Sequence, residues 1–218
     1  MTMSPDLEML TPPEAAAVAG VEVRDINRMI DEHVLPESLY SNAANRRVKA
    51  GACALVRFYY DSANVLTASE RRHVINHVVE EARHKRAVWT IKHWRDAKPH
   101  WTVTRPYVTL NFDRFIDQTI AGHDKLSKAR QIVVEDPAIL SGTPVIKGTR
   151  VPVYDVAASA EKGASLAEIR EDYPSLDNDR IELAILYAKA TPQRGRPKAG
   201  LLNKGKLISR KIVPRRRA

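Results

Sequence analysis

Residues 131–191 read QIVVEDPAILSGTPVIKGTRVPVYDVAASAEKGASLAEIREDYPSLDNDRIELAILYAKAT, and this stretch decides the fold class. Ile132-Val133-Val134 is a short β-prone run stopped by Asp136-Pro137. Residues 143–147 and 150–153 flank Gly148-Thr149, which predicts a tight hairpin, because Gly148 lacks a Cβ and takes positive φ without strain. Three short helices follow. The first spans about 153–162 and is closed by Gly163. The second starts at Ser165, whose hydroxyl caps it, with Glu168 three residues on. The third is capped by Asp177 and runs to about Lys189, and Pro174 punctuates the turn before it. A hairpin with three helices predicts a mainly α chain with small β elements, the α+β class.

The order of Gly142, Pro144, Gly148, Thr149, Arg150, Pro152, Gly163, Ser165, Tyr173, Pro174, Leu176 and Tyr187-Ala188 closely resembles the family called Domain of Unknown Function 433. The resemblance covers residues 131–191 of the 218. It implies a small trihelical, helix-turn-helix-like domain. It also implies a role that many such proteins have: a bacterial, cytoplasmic antitoxin of the VapB kind, paired with a PIN-like ribonuclease toxin. By its own charge, six basic against ten acidic side chains in 131–191, this unit is poorly suited to reading DNA. Ile181, Leu183, Ile185, Leu186 and Tyr187 are expected to pack the domain or a dimer interface. Gly148 and Arg150 are expected to build the hairpin rather than to touch a ligand.

At the other end, residues 10–36 (LTPPEAAAVAGVEVRDINRMIDEHVLP) read as two helices around Gly20. Thr11 caps the first, with proline in its first turn and Glu14 completing a capping box. The second carries Val23, Ile26, Met29 and Ile30 at helical spacing. Helix, glycine turn, helix is a helix-turn-helix layout, and the string is similar to the winged-helix start of MerR-type regulators. In such a layout the second helix enters the major groove. Arg24, Asn27 and Arg28 lie off its apolar stripe, and Arg and Asn are the side chains that pair bidentately with guanine and adenine. Arg46 and Arg47 follow at a position suited to phosphate contacts. Residues 1–50 nevertheless hold five basic and eight acidic side chains, which argues for an ordinary surface helix.

Between these units, residues 49–130 predict a small α+β domain. Cys53–Tyr60 (CALVRFYY) is β-prone and aromatic, so a strand is expected there. Ser69 is placed as the cap of a helix reaching Ala82, 107–110 as a strand, and 112–120 as an amphipathic helix. His73 and His77 have the i, i+4 spacing of metal ligands, but the HExxH arrangement is absent and Arg71, Arg72, Arg83 and Arg86 surround them. A charged helix face is the expectation, with no metal and no cofactor. Trp89, Trp94 and Trp101 read as packing, although the basic, aromatic run over 88–105 could stack a base, and Cys53 reads as core.

The formal charge of +9 has one address. Residues 192–218 hold ten basic side chains and no acidic one, which leaves 25 basic against 26 acidic before them. This basic tail, expected to lack fixed structure, contains Arg194-Gly195-Arg196-Pro197, which resembles the core of an AT-hook. Glycine lets the backbone near the minor-groove floor, proline keeps it extended, and the arginines meet the negative potential there. The apolar residues Leu201, Leu202, Leu207, Ile208, Ile212 and Val213 suit a segment that folds onto a partner. Arg210, like Arg194 and Arg196, could pair with the carboxylates of a PIN-like toxin.

The single cysteine excludes a disulfide framework, and the first ten residues have acids and no basic region, so no secretory leader is expected. No apolar run approaches the roughly 20 residues of a membrane span. The expected units are therefore a helix-turn-helix module (1–48), a middle α+β domain (49–130), the trihelical domain (131–191) and the tail (192–218). The expected function is a type II antitoxin that neutralises a PIN-like ribonuclease and represses its own operon, as a homodimer or within a larger toxin–antitoxin assembly on operator DNA. A DNA-binding regulator with an AT-hook and no toxin is the alternative, and a nucleic-acid-processing enzyme ranks last.

Overall fold

A computed structural model describes residues 9–42, 45–86, 88–105 and 108–193. The chain is mainly helical, with small sheets of two or three strands. The first strand, β1 (Met9–Leu10), leads into α1 (Pro12–Ala19) and α2 (Val23–Asp31). Thr11 and Glu14 form the capping box expected of them, and α1 ends at Gly20. A hairpin of β2 (Tyr40–Ser41) and β3 (Arg47–Lys49) follows, with the register Tyr40↔Val48 and Ser41↔Arg47. β3 also pairs with β1, so the strand order is β1-β3-β2.

The predicted strand at 53–60 is a helix, α3 (Cys53–Asp61). Cys53, Ala54, Leu55, Val56, Phe58 and Tyr59 are all buried, so this helix has almost no polar face and its 3.6-residue period is invisible in the sequence. Tertiary burial overrides the β propensity of its residues. The next helix, α4 (Ala68–His84), is capped by Thr67 with Glu70, not by Ser69. Then come α5 (Ile91–Ala97) and the hairpin of β4 (Thr102–Arg105) with β5 (Val108–Asn111). The amphipathic segment expected at 112–120 extends to α6 (Asp113–Gln131), a 19-residue helix.

Buried residues between Leu10 and Leu126 share one core. Its centre is aromatic. Trp89, Trp94 and Trp101 stack with centroids 5.1–5.7 Å apart, and Phe58 lies 4.8 Å from Phe112 and 5.6 Å from Phe115. Gly122 brings α6 against α1 so closely that an added Cβ would sit 2.5 Å from the Val18 carbonyl oxygen.

The C-terminal unit follows its sequence signals closely. β6 (Val133–Val134) pairs antiparallel with β7 (Val145–Ile146). The predicted hairpin partner at 150–153 contributes one bridge, Val145↔Pro152, around a turn in which Gly148 has φ 78°. The helices α7 (Val153–Glu161), α8 (Leu166–Asp172) and α9 (Asn178–Ala190) begin and end where the caps placed them. Their core of Ile146, Val153, Val156, Ile169, Leu176, Ile181 and Tyr187 includes Ala129 of α6, while Ala190 of α9 belongs to the larger core. The α9 helix packs on α1 and α6 as well as on α7 and α8. Among the described residues, no helix is long and apolar enough to cross a membrane.

Candidate nucleic-acid interface

The α1–α2 pair is held from both ends. Glu14 accepts from the Thr11 N–H at 2.8 Å through one carboxylate oxygen and from Arg130 Nη2 at 2.8 Å through the other. At the C-terminus of α1, Arg57 Nη2 donates to the Val18 carbonyl at 3.2 Å, complementing the negative end of the helix dipole. On α2, Glu22 and Asp25 cap the first turn, and Ile26, Met29 and Ile30 turn inward. Tyr60 of α3 donates to the Asp25 carbonyl at 3.2 Å. Burial, reinforced by the Asp25 charge, pushes the Tyr60 phenol up to about 12.

Arg24 and Arg28 are exposed on α2, and Asn27 is half-buried beside them. Arg24 has no hydrogen-bond or ion-pair partner among the described residues. From the β2–β3 hairpin, Arg46 reaches back to α2. Its Nη1 donates to Asn27 Oδ1 at 2.9 Å and its Nη2 to Asp31 Oδ1 at 2.8 Å. The structure thus brings Arg24, Asn27, Arg28 and Arg46 to one face. Arg47, the first residue of β3, departs from it: its Nη1 donates to the Met9 carbonyl at 3.5 Å.

One cation on this face has no signal in the sequence. Arg72, near the start of α4, lies with Nη2 3.7 Å from Glu32 Oε2, while Arg28 Nε lies 2.7 Å from Glu32 Oε1. The packing of α4 on α3 carries it there. Hydrogen bonding and charge from Glu32 raise the Arg28 guanidinium above its ordinary value.

The family-motif residues build turns. Thr149 Oγ1 donates to the Ile146 carbonyl at 2.7 Å and accepts from the Val151 N–H at 3.1 Å. Pro144 offers its carbonyl to Val153 N–H at 3.0 Å, Gly142 and Gly148 take positive φ, and Tyr173 closes α8 on Ile169. Pro174 follows in the turn before α9, and Arg150 is exposed with no partner among the described residues. The tail positions Arg194, Gly195, Arg196, Pro197, Leu201, Leu202, Leu207, Ile208, Arg210, Ile212 and Val213 lie outside the described residues. Just before them, the Thr191 carbonyl accepts from Tyr154 Oη at 2.8 Å.

Elsewhere the chemistry is sparse. Cys53 is fully buried, and burial pushes its thiol up to about 12, so it is protonated at neutral pH. No cluster of His, Cys, Asp and Glu among the described residues could hold a metal ion, and His73 and His77 are exposed. An open cleft of about 850 Å³ between α5 and α6 is lined by Lys92, Arg95, Lys128 and Arg130, with Asp96 and Asp124 between them.

Residues 133–188 match the family model described as "Protein of unknown function (DUF433)". The chain is 46% identical over 212 residues to the uncharacterized protein y4eO of Sinorhizobium fredii (strain NBRC 101917 / NGR234), covering 96% of this chain and 95% of that one. A crystal structure of Rv2018 from Mycobacterium tuberculosis aligns at 15% identity over 82% of this chain and 97% of its own, with a TM-score of 0.34, too low to carry an argument. The chain belongs to the family of y4eO.

Proposed function

We propose that this member of the y4eO family is a type II antitoxin that neutralises a PIN-like ribonuclease toxin and represses its own operon by binding DNA. The observation that carries the DNA-binding half is the α1–turn–α2 pair with Arg46 of the following hairpin laid along the second helix. A helix of nine residues is about 14 Å long, short enough to lie across a major groove with its side chains on base edges. Arg24, Asn27 and Arg28 would read bases, while Arg46 would meet phosphates.

The antitoxin half rests on the resemblance of residues 131–191 to Domain of Unknown Function 433, which implies the VapB-like role that many such proteins have, and on the basic tail. Acidic metal-binding clefts of PIN-like nucleases complement a cationic segment with apolar residues between its charges. In this reading the C-terminal unit would dimerise and the tail would cover the toxin's active site. The tail's Arg194-Gly195-Arg196-Pro197 run favours a second reading, a DNA-binding regulator with an AT-hook and no toxin.

Co-expression with a PIN-like protein encoded beside this gene, using the full chain and a chain ending at Thr191, separates these readings. Growth rescue by the full chain and its loss on truncation are expected for the antitoxin. Binding to the upstream DNA without any rescue would favour the regulator. Arg24→Ala combined with Arg28→Ala is expected to abolish sequence preference in gel shifts with that DNA. Unchanged preference would remove α2 from the interface.

A further inference from the structure

The eight acidic side chains of residues 1–50 argue against a DNA-binding face, yet the structure commits most of the described ones to particular partners. Glu14 holds Arg130 and the Thr11 N–H, and Glu22 and Asp25 close the start of α2. The last two acids of the segment containing α2 behave differently, because each is set against arginines of the proposed DNA face. Asp31 accepts from both terminal nitrogens of Arg46, at 2.8 and 3.5 Å, in a fork-like pairing. Glu32 divides its two oxygens between Arg28 and Arg72, which come from different helices.

We infer that Asp31 and Glu32 occupy, in the free chain, the places that DNA phosphates take on Arg46, Arg28 and Arg72. This inference rests on the DNA-binding reading of α1–α2. A carboxylate and a phosphate offer arginine the same planar pair of acceptor oxygens, so one can replace the other without rearranging the guanidinium. The pairs are open to exchange: side-chain exposure is 66% for Arg28, 45% for Arg72 and 41% for Glu32, and 31% and 60% for Arg46 and Asp31. Exposed ion pairs of this kind contribute little stability, so a phosphate displaces them at small cost.

The consequence concerns specificity. Backbone affinity is sequence-independent and grows with every unopposed cation. Each carboxylate on this face lowers the gain from a phosphate contact by making that contact an exchange. Arg24, which has no partner among the described residues, is left to report on base edges without a competitor from among them. The two acids thus act as specificity determinants, and Arg72 joins the interface as a phosphate contact contributed by α4.

The test is fluorescence anisotropy of the full chain on a duplex from its own upstream region and on a scrambled duplex, over a salt titration. With the tail present in every variant, its contribution cancels. Glu32→Gln and Asp31→Asn are each expected to tighten binding to the scrambled duplex roughly two- to fivefold. The log–log salt dependence is expected to steepen as well, because the internal competitor that is removed is itself weakened by salt. Arg72→Ala should flatten it by about one unit. Glu37→Gln removes the same charge from an exposed acid that has no ion pair among the described residues, and should change both quantities far less. Thermal unfolding at the wild-type temperature certifies that each surface variant is folded. If Glu32→Gln and Asp31→Asn behave like Glu37→Gln, or if Arg72→Ala leaves the salt slope unchanged, the exchange is overturned while DNA binding stands. If the wild-type chain binds neither duplex at low salt, the DNA-binding reading fails and takes the exchange with it.

Discussion

The larger core of this chain is built on aromatic rings, with Trp94, Trp101, Phe58 and Phe112 each no more than 1% exposed. The smaller core, under α7–α9, is mainly aliphatic, with Tyr187 buried in it and the half-buried ring of Tyr154 6.5 Å away. The two also differ in self-sufficiency. The larger one closes around α3 on nearly every side. The smaller one borrows Ala129 from α6 and gives up Ala190 of α9 to its neighbour. A unit of this size buries too small a fraction of its surface to be more than marginal alone. The difference teaches that the trihelical unit is recognisable as a sequence module but leans on its neighbour for stability.

That comparison can be broken by experiment. Trp94→Ala should be the most damaging change, costing about 3–5 kcal/mol, because it empties the centre of the indole cluster. Trp89 and Trp101 still report on the larger core by fluorescence, while circular dichroism reports both. Urea unfolding is expected to give coincident transitions by the two probes. Separate midpoints would mean that the two cores fold independently. Ile181→Ala, on the fully buried face of α9, should cost about 2–4 kcal/mol and move both probes together. A change seen by dichroism alone would again split the molecule.

Smaller effects sharpen the boundary. Gly122→Ala forces a methyl group onto the Val18 carbonyl and should cost about 1–3 kcal/mol, measured as a shift of the urea midpoint. An unaltered midpoint would show that α1 and α6 can part without consequence. Cys53 offers a change silent at neutral pH. Burial raises its thiol from 9.0 to about 12, so the folded chain favours the neutral form. The resulting stabilisation is complete below pH 9.0 and is lost as the pH rises through about 12. The stability gap between wild type and Cys53→Ala should therefore narrow across that window in urea titrations at successive pH values. A constant gap would contradict a desolvated thiol.

The legible parts of the sequence were those with punctuation. Thr11 with Glu14, Ser165 with Glu168, and Asp177 start helices by satisfying backbone N–H groups, and these local hydrogen bonds form regardless of distant contacts. CALVRFYY has no such marks, and its fate is set by what surrounds it. The second half of α6 was missed for a related reason: its inward face is Thr119, His123, Leu126 and Ala129, too polar and too small to declare a stripe. At the candidate interface, helical periodicity on α2 found Arg24, Asn27 and Arg28. Arg46 and Arg47 are neighbours in sequence, yet Arg46 reaches Asp31 on α2 and Arg47 reaches the Met9 carbonyl of β1. Arg72 reaches Glu32 across 40 residues of chain, a pairing that no local pattern encodes.

Glu14, with one oxygen on the N-terminus of α1 and the other on Arg130 in the last turn of α6, acts as a tie rod. Residue 130 lies three positions before β6, where the trihelical unit begins. The attitude of α2 is thereby keyed to the frame of that unit instead of being left to a slack hinge. Were two chains to join through their trihelical units and bind DNA as proposed, their α2 helices would sit at one preset separation. Such a molecule would be a calliper, tolerant of neither an inserted nor a deleted base pair between half-sites.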